Sequence, residues 1–559
     1  MYINKIETFV LKILLNTYNN LNLNLINKDG LLIQKSPDSI DSDFGTSLPL
    51  RLAKTLKRNP LEIANHLAEK MRNGKPDYIS DITVVKPGYI NFTINKKDVF
   101  EILKDIAFNE KPFSDLFNNK QQKIQIEFVS ANPTGPLHVG HIRGAVYGSA
   151  LSKILSFYGY NVKNEYYVND AGNQILKFGQ SVLNEILKSK NVNENFKNNY
   201  VVDPDDSYKG KYVKLLANKI KNNINFELNS ENLIQKITQL AIDEMLSNIK
   251  EDLSRLNVFF DEWFHETKLF EESTLDIVIE KLKQTNLIIN KDGATWFLSE
   301  NLGDDRDNVL IKQDSSHTYF FSDIANHYNK FYIRNFDKVI NIWGADHQGH
   351  IKRTKLAMEA LGVNQKDLEI KISQMVTIKK GNELVKISKR SGEYVTLNDI
   401  VSEVGSDACR YFFLSRAPNT QLTFDIESAK IQNSTNPVYY IQYAHARLSN
   451  LIEKATQLNI SLDKTPDLNL LSEKEISIAM KLIEFPEIID QIAKELEPHH
   501  ITRYTHELAS EFHTYYQSVK IIEESNIELS VSRILLCKAI LNIIRQCLDL
   551  MMVSAPTKM

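Results

Sequence analysis

Three cysteines in 559 residues are too few for a disulfide framework. Cys409, Cys537 and Cys547 also form no Cys-x-x-Cys pair, so a thiolate zinc site is not implied and a reducing compartment fits best. No apolar run is long enough to cross a membrane, and no membrane partner is expected. The nearest thing to a signal segment, Phe9 to Leu15, carries Lys12 in its middle and lacks a small-residue cleavage site, so it reads as an amphipathic helix. Excess charge is missing too. A formal charge of −3 gives no global signal for a polyanion, and a nucleic-acid partner would need locally basic surface. What remains is an ordinary globular composition, 42% apolar and 25% charged, with length for several domains.

Residues 1–110 read as a small α+β module. Helical patterns (Ile6 to Tyr18, Leu50 to Leu56, Leu61 to Met71) precede two strands, Ile79 to Val85 and Tyr89 to Ile94. Pro87-Gly88 between them suits a type II turn, which predicts a hairpin. A second unit, 121–425, opens with an apolar alternating run, Lys123 to Val129, that reads as a strand. A Pro/Gly turn follows, then a helix expected to begin at His141 and to close near Gly159. Asn161 to Val168 supplies the next strand. Strand, helix and strand in this order predict a parallel sheet with ligands beyond the carboxyl ends of its strands. Within an insertion of about 174–300, the stretch from Gln174 to about Phe264 reads as largely helical, with sheet-like patterning returning at Ala294 to Leu298 and, beyond it, Asn308 to Ile311. From 430 to 559 the pattern is all helical, with helices at Asn436 to Arg447, Pro498 to Tyr516 and Arg533 to Met552. His499, His500, His506 and His513 share no ligand-like set, and read as exposed or polar-packed.

Chemistry concentrates at three places. The first is Pro133-Thr134-Gly135-Pro136-Leu137-His138-Val139-Gly140-His141 at the strand-to-helix turn. A helix N-terminus attracts phosphate through its unsatisfied N–H groups and dipole. Gly140 gives a ligand close access to the backbone, and His138 and His141 share one face of the first turn, where both can donate to the same phosphoryl oxygens. The second is Gly344-Ala345-Asp346-His347-Gln348-Gly349-His350, which follows the strand Lys338 to Trp343 and precedes a helix from Ile351 to Leu361. In a parallel sheet this turn shares the rim of His138, and Asp346 beside Gly344 could accept hydrogen bonds from a ribose. The third is Lys386-Ile387-Ser388-Lys389-Arg390, preceded by Lys379, Lys380 and Gly381, whose cations could close over a polyphosphate; a solvated surface run is the commoner use of lysines.

In this order the three resemble the HIGH and KMSKS signatures of class I aminoacyl-tRNA synthetases. Val139, Ile387 and Arg390 replace the usual isoleucine, methionine and final serine, while His138, Gly140, His141, Lys386, Ser388 and Lys389 are intact. Within that class the chain resembles the arginyl-tRNA synthetase family of bacterial type over nearly its whole length. The matches are Glu127 to His141, Tyr167 to Gln174, Asp304 to Asp307, Thr318 to Ala325, Tyr443 to Arg447 and the closing Val553 to Pro556 with Met559 last. The resemblance implies an α/β Rossmann-type parallel-sheet catalytic domain with a helical insertion, a small α+β N-terminal domain touching the outer corner of tRNA, and an all-α anticodon-binding domain. It implies an ATP-dependent ligase that forms arginyl-adenylate and transfers arginine to the 2′-hydroxyl of the terminal adenosine of tRNA(Arg), releasing AMP and pyrophosphate.

By the same resemblance His138, His141, Lys386 and Lys389 are catalytic. ATP is bound by Pro133, Thr134, Gly135, Gly140, Gly344, Asp346 and Ser388 together with those four. Arginine is bound by Ser130, Ala131, Asn132, His141, Tyr319, Asp323 and His347. Asp323 is the charge partner for guanidinium, which has five donors and no acceptor. Asp323 could instead cap a helix, and Tyr319 could be core. Tyr443 and Arg447 are implied to touch tRNA, though aromatic and basic residues are more often core and rim of a helix bundle. Magnesium would arrive on ATP, and no zinc, haem or flavin is expected; the expected state is a cytoplasmic monomer. Two rivals stay open: another adenylyltransferase with an HxGH turn, and a non-catalytic paralogue that binds tRNA or protein.

Overall fold

The run Lys123–Glu127 forms a strand (β1), but its alternation does not divide core from solvent: Ile124, Gln125, Ile126 and Glu127 are all buried. β1 is the middle strand of a five-stranded sheet, so both of its faces are covered. The sheet is completed by Asn161–Val168 (β2), Glu262–His265 (β3), Lys338–Gly344 (β4) and Leu368–Ser373 (β5). All pairings are parallel and the order is β3-β2-β1-β4-β5. This is the doubly wound arrangement, in which the order reverses between β1 and β4 and opens a crevice beyond their carboxyl ends. Helix Val139–Phe157 (α1) returns from β1 to β2. Helix Tyr319–Tyr328 (α2) precedes β4, and Ile351–Ala360 (α3) connects β4 to β5. The structure is a computed structural model that describes all residues except 19–31, 38–39, 118–119, 190–206, 225–229, 382, 386–394 and 461–465.

Two expectations are corrected here. α1 begins two residues before His141, at Val139, because His138 takes extended backbone angles and caps the helix with its own ring. The insertion is interrupted, because Glu262–His265 returns to the edge of the central sheet and pairs with β2 from beyond the helices. Helices Asn173–Ser189, Lys211–Ile220 and Ser230–Arg255 lie before that strand. After it come two short helices, Thr267–Glu271 and Thr274–Lys283, and an antiparallel sheet of Ile288–Lys291, Ala294–Phe297 and Asn308–Ile311.

In the N-terminal part, helices Tyr2–Thr17, Leu48–Leu56, Pro60–Asn73 and Lys96–Phe108 accompany a four-stranded antiparallel sheet. Ile79–Val85 and Tyr89–Ile94 form the expected hairpin. Its turn is not type II. Pro87 follows a cis peptide at the third position, and Gly88 N–H closes the turn on Val85 O at 3.0 Å, as in type VI. At the other end, Pro437–Gln457, Glu473–Ile483, Phe485–Glu495, His499–Ser518 and Ile527–Met551 form a helical bundle. It contains two helices, Glu473–Ile483 and Phe485–Glu495, that the sequence pattern did not separate.

Side chains join these parts by serving backbone carbonyls. Asn542 on the last helix donates to Ile106 O and Ala107 O at 2.9 and 3.0 Å, satisfying carbonyls at the end of Lys96–Phe108. Arg410, wholly buried, donates to Met551 O at 2.7 Å, Leu256 O at 2.9 Å and Ser149 Oγ at 2.9 Å. It ties α1, the end of the long insertion helix and the last helix. Truncation in Arg410→Ala leaves three buried acceptors unpaired, and is expected to cost about 3 kcal/mol or more. Arg410→Met keeps the volume and should cost less. Chemical denaturation of both variants checks this order.

Candidate active site

Beyond Glu127 the chain reverses through two consecutive residues in the left-handed region, Val129 (φ 69°) and Ser130 (φ 40°). A β-branched residue there has to be held by its surroundings. Phe128 N–H bonds Glu165 O at 3.3 Å, and Tyr166 hydroxyl donates to Ala131 O at 2.7 Å. The Ser130 hydroxyl accepts from Tyr167 N–H at 3.1 Å and donates to Glu127 Oε1 at 3.0 Å. Ser130 and Ala131 thus bind the turn to β2. Asn132 is exposed and donates to Gln174 Oε1 at 2.9 Å. Pro133 and Thr134 are buried, with Thr134 O accepting from the Tyr212 hydroxyl at 3.0 Å, and Gly135 is half-buried.

His138 and His141 stack with ring centroids 3.8 Å apart. His138 Nδ1 accepts from Gly140 N–H, and His141 Nδ1 accepts from His138 N–H, both at 3.1 Å. A nitrogen that accepts carries no proton, so each neutral ring keeps its hydrogen on Nε2. Both imidazoles are thereby set as Nε2 donors at the positive end of a 19-residue helix. Gly140 serves this directly, since a Cβ there would lie 2.8 Å from the His138 ring. The room left by its missing side chain is taken by that ring.

The histidine turn is also sewn to the far side of the lysine segment. Val139 N–H bonds Val395 O at 3.1 Å, Leu397 N–H bonds Leu137 O at 2.8 Å, and His138 forms a bridge with Thr396. On the near side, Val376–Lys380 pairs antiparallel with Glu383–Val385. Lys379 and Lys380 form ion pairs with Asp425 (3.8 Å) and Glu403 (2.8 Å). Lys386, Ile387, Ser388, Lys389 and Arg390 lie outside the described residues.

Asn341 of β4 is in register with Glu127 of β1, so the turn after Gly344 shares the rim of the histidine turn. Asp346 and His347 are exposed there, 3.7 Å apart, and a Cβ at Gly344 would lie 2.6 Å from Asp346 Oδ1. α2 borders the same crevice. Thr318 caps α2 by accepting from Phe321 N–H, so Asp323, in the middle of the helix, is not a cap. Tyr319 is 60% exposed and is not core. The two are four residues apart, on one face of the helix.

Asp323 sits in an acidic setting that the motifs did not reveal. Burial, then Glu127 and Glu266, push its carboxyl up to about 7, against the pull of Arg353 and Lys330. Glu266, buried immediately after β3, is also pushed up to about 7 by burial, with Asp170 adding and hydroxyls of Ser322 and Tyr167 opposing. Arg353, on α3, donates to Asn308 Oδ1 at 3.1 Å and stacks 4.9 Å from the Phe320 ring. Glu266 and Arg353 have no motif of their own; only their places after β3 and on α3 in the folded domain bring them to Asp323.

A separate cavity of about 610 Å³ lies in the C-terminal bundle, lined by Tyr443, Arg447, Asn450, Lys454, Tyr516 and Met559 among others. Arg447 donates to the Tyr443 hydroxyl at 2.7 Å and lies 4.5 and 4.6 Å from the Tyr443 and Tyr516 rings. Of the histidines in the bundle, His499 and His500 pair with Glu497 and Glu495 at 3.1 Å, and His513 is buried.

Residues 103–452 match the family described as class I tRNA synthetases (R), catalytic domain; residues 6–94 match the arginyl-tRNA synthetase N-terminal domain and 441–559 the DALR anticodon-binding domain. The chain is 41% identical over 521 residues to an arginine–tRNA ligase of Dehalococcoides mccartyi, covering 92% of each. The chain belongs to the arginyl-tRNA synthetase family. Another relative, an arginine–tRNA ligase of Halalkalibacterium halodurans, is 39% identical over 534 residues, 95% of this chain and 94% of that one. The fold agrees with that of the Thermus thermophilus arginyl-tRNA synthetase, with a TM-score of 0.77 at 19% identity over the whole of both chains. The Rossmann-type sheet, α+β N-terminal part and helical C-terminal part of this family member are those its motifs implied.

The raised carboxyls give the family member a testable pH dependence. A folded-state pKa above the unfolded value means that the folded chain holds the proton more tightly, so stability falls as pH rises from about 4 to about 7. Asp323→Asn lacks this loss. Its thermal midpoint is expected to exceed that of the wild type at pH 8, with the gap closing towards pH 4, as read by calorimetry across that range.

Proposed function

We propose that this chain is an arginine–tRNA ligase that activates arginine with ATP and passes the arginyl group to the terminal adenosine of tRNA(Arg). The observation that carries the site assignment is the parallel pairing of β1 with β4, which brings the histidine turn and the Gly344–His347 turn together beside Asp323. The arginine carboxylate attacks the α-phosphorus of ATP, pyrophosphate leaves, and the 2′-hydroxyl of the tRNA terminus then displaces AMP. No enzyme nucleophile is needed, so the rate enhancement comes from positioning and from stabilising the phosphoryl oxygens.

His138 and His141 donate from Nε2 towards the α-phosphate, with the N-terminus of α1 behind them. Gly344 and Asp346 take the ribose side. Lys386, Ser388 and Lys389 hold the β- and γ-phosphates and the leaving pyrophosphate, with magnesium carried by the nucleotide. Chain connectivity supports this role. Lys386 follows Val385 of the hairpin in sequence, and Val395, whose carbonyl accepts from Val139 N–H of the histidine turn, follows Lys389 by six residues.

Asp323 pairs with the guanidinium, with Tyr319 beside it and Asn132, His141 and His347 around the α-amino and carboxylate end. Ser130 and Ala131 act by shaping the turn, and Pro133, Thr134 and Gly135 by shaping the approach to ATP. Tyr443 and Arg447 offer aromatic faces and a guanidinium to a tRNA base at the C-terminal cavity. The domain division 1–110, 121–425 and 430–559 separates tRNA-corner, catalytic and anticodon roles, in a cytoplasmic monomer.

The test is pyrophosphate exchange with each amino acid, with and without tRNA(Arg). Exchange is expected with arginine; exchange that depends on another amino acid, or on none, contradicts the assignment. Asp323→Ala should lose arginine-dependent exchange with its fold intact, as judged by circular dichroism. His141→Ala should lower kcat by roughly 100-fold or more, since it removes a donor to the transition state. Because Asp323 must be ionised to pair with guanidinium, kcat/KM for arginine should rise with pH and level off above about 7.

A further inference from the structure

The polar layer beneath the rim contains a cation that the reaction as described does not use. Lys330 is 0% exposed, in the π turn Asn329–Ile333 that continues α2. Its ammonium pairs with Glu127 Oε2, lies 3.4 Å from Glu165 Oε1 and donates to Asn341 Oδ1 at 3.4 Å. Two hydrogen bonds and a second nearby carboxylate therefore surround the ammonium. From Asn341 the chain of bonds continues: Nδ2 donates to His327 Nε2 at 2.5 Å, and His327 Nδ1–H donates to the backbone carbonyl of Asp323 at 2.6 Å. Each direction is fixed, because a carbonyl can only accept and an amide nitrogen can only donate. His327 is neutral, its pKa pushed down to about 3 by burial and then by Lys330. One path thus joins the carboxylate at the end of β1 to the backbone carbonyl of Asp323.

Stability alone is a weak reason for this arrangement. A buried ion pair about breaks even against well-packed apolar side chains, so it is not by itself a means of holding a fold together. Its placement among the groups around Asp323 suggests another use. Those groups are Glu127 from β1, Tyr167 from β2, Glu266 after β3, Lys330 and His327 from α2 and its π turn, and Arg353 from α3. Glu165 and Arg334 complete the layer behind, as an ion pair. Without an internal cation, carboxylates this close in a dry setting retain protons, and a protonated acid is a poor partner for guanidinium.

We propose that Lys330 is a positioning residue for arginine selection: from behind the rim it holds Glu127 in place through their ion pair and sets a positive charge behind Asp323, the acceptor for the guanidinium. This rests on the reading of the crevice as an arginine site. It adds a cation, outside every motif, to Arg353 as a second positive charge acting on that site.

The experiment compares wild type, Lys330→Met and Lys330→Gln as full-length proteins in arginine-dependent pyrophosphate exchange with tRNA(Arg), from pH 6 to pH 9. Glutamine keeps a donor for Glu127 and removes only the charge. Both neutral variants are expected to raise KM for arginine at pH 7 about fivefold, as an upward shift of one pKa unit in Asp323 would. The acidic limb of kcat/KM for arginine should move to higher pH, while KM for ATP stays within about twofold. A folded Lys330→Gln with the wild-type arginine KM and pH limb overturns the proposal. Equal losses for ATP and arginine, or failure of both variants to fold, make Lys330 merely structural and overturn it as well. Absence of arginine-dependent exchange in the wild type is a different result: it removes the arginine reading itself, and this inference with it.

Discussion

The parallel pairing of β1 with β4 is the constraint on which the rest depends. These two strands are distant in sequence, and their pairing in register from Lys338 with Ile124 to Asn341 with Glu127 sets where both loops emerge. The strand order reverses at this pair, so the connections leave to opposite faces and a crevice stays open between them. One loop becomes the capped start of α1, with its two imidazoles. The other becomes the Gly344–His350 turn. A slip of one residue would invert every side chain of β1 and break both the buried polar layer and the apolar packing.

The parts legible in sequence are those whose chemistry is local. His138, Gly140 and His141 are legible because a turn and a helix start need particular residues within a few positions of each other. The hairpin of Ile79–Val85 with Tyr89–Ile94 and the long C-terminal helices are legible for the same reason. The strand Glu262–His265 is not, because its pairing with β2 spans the whole helical insertion. The type of turn at Pro87 also escaped, since the isomer of the preceding peptide is not written in the dipeptide.

The polar layer escaped for a deeper reason. Alternation in Lys123 to Glu127 suggests a wet face and a dry face, but in a covered sheet both are dry. Gln125 and Glu127 must then find partners inside the protein. Gln125 donates to Glu165 Oε2 at 2.6 Å, and Glu127 meets Lys330. Glu165 sits on the neighbouring strand and Lys330 some two hundred residues further along the chain, so no window of sequence holds the set. A polar residue at the end of a central parallel strand is therefore better read as a demand for a buried partner than as a solvent contact. Glu127 makes that demand beside the very turn whose motif was easiest to see.

The connection between the histidine turn and residues 395–397 gives the two signature segments a common frame. Thr396 is at once the bridge partner of His138 and the N-cap of Leu397–Val404, with a capping box closed by Asp399. Arg143, two residues after His141 and almost fully buried, donates to Thr420 O at 2.5 Å and Ala417 O at 2.7 Å, just before the strand Leu422–Asp425 that pairs with Val376–Lys380. The start of α1 is thus tied to both flanks of the lysine segment: through Val395 to Leu397 on one side, and through Arg143 and the small sheet on the other. Such ties are made of backbone bonds and buried donors, the kind that tolerate little displacement. Any change that shifts α1 along its axis must carry residues 395–397 and the small sheet of Val376–Lys380 and Leu422–Asp425 with it.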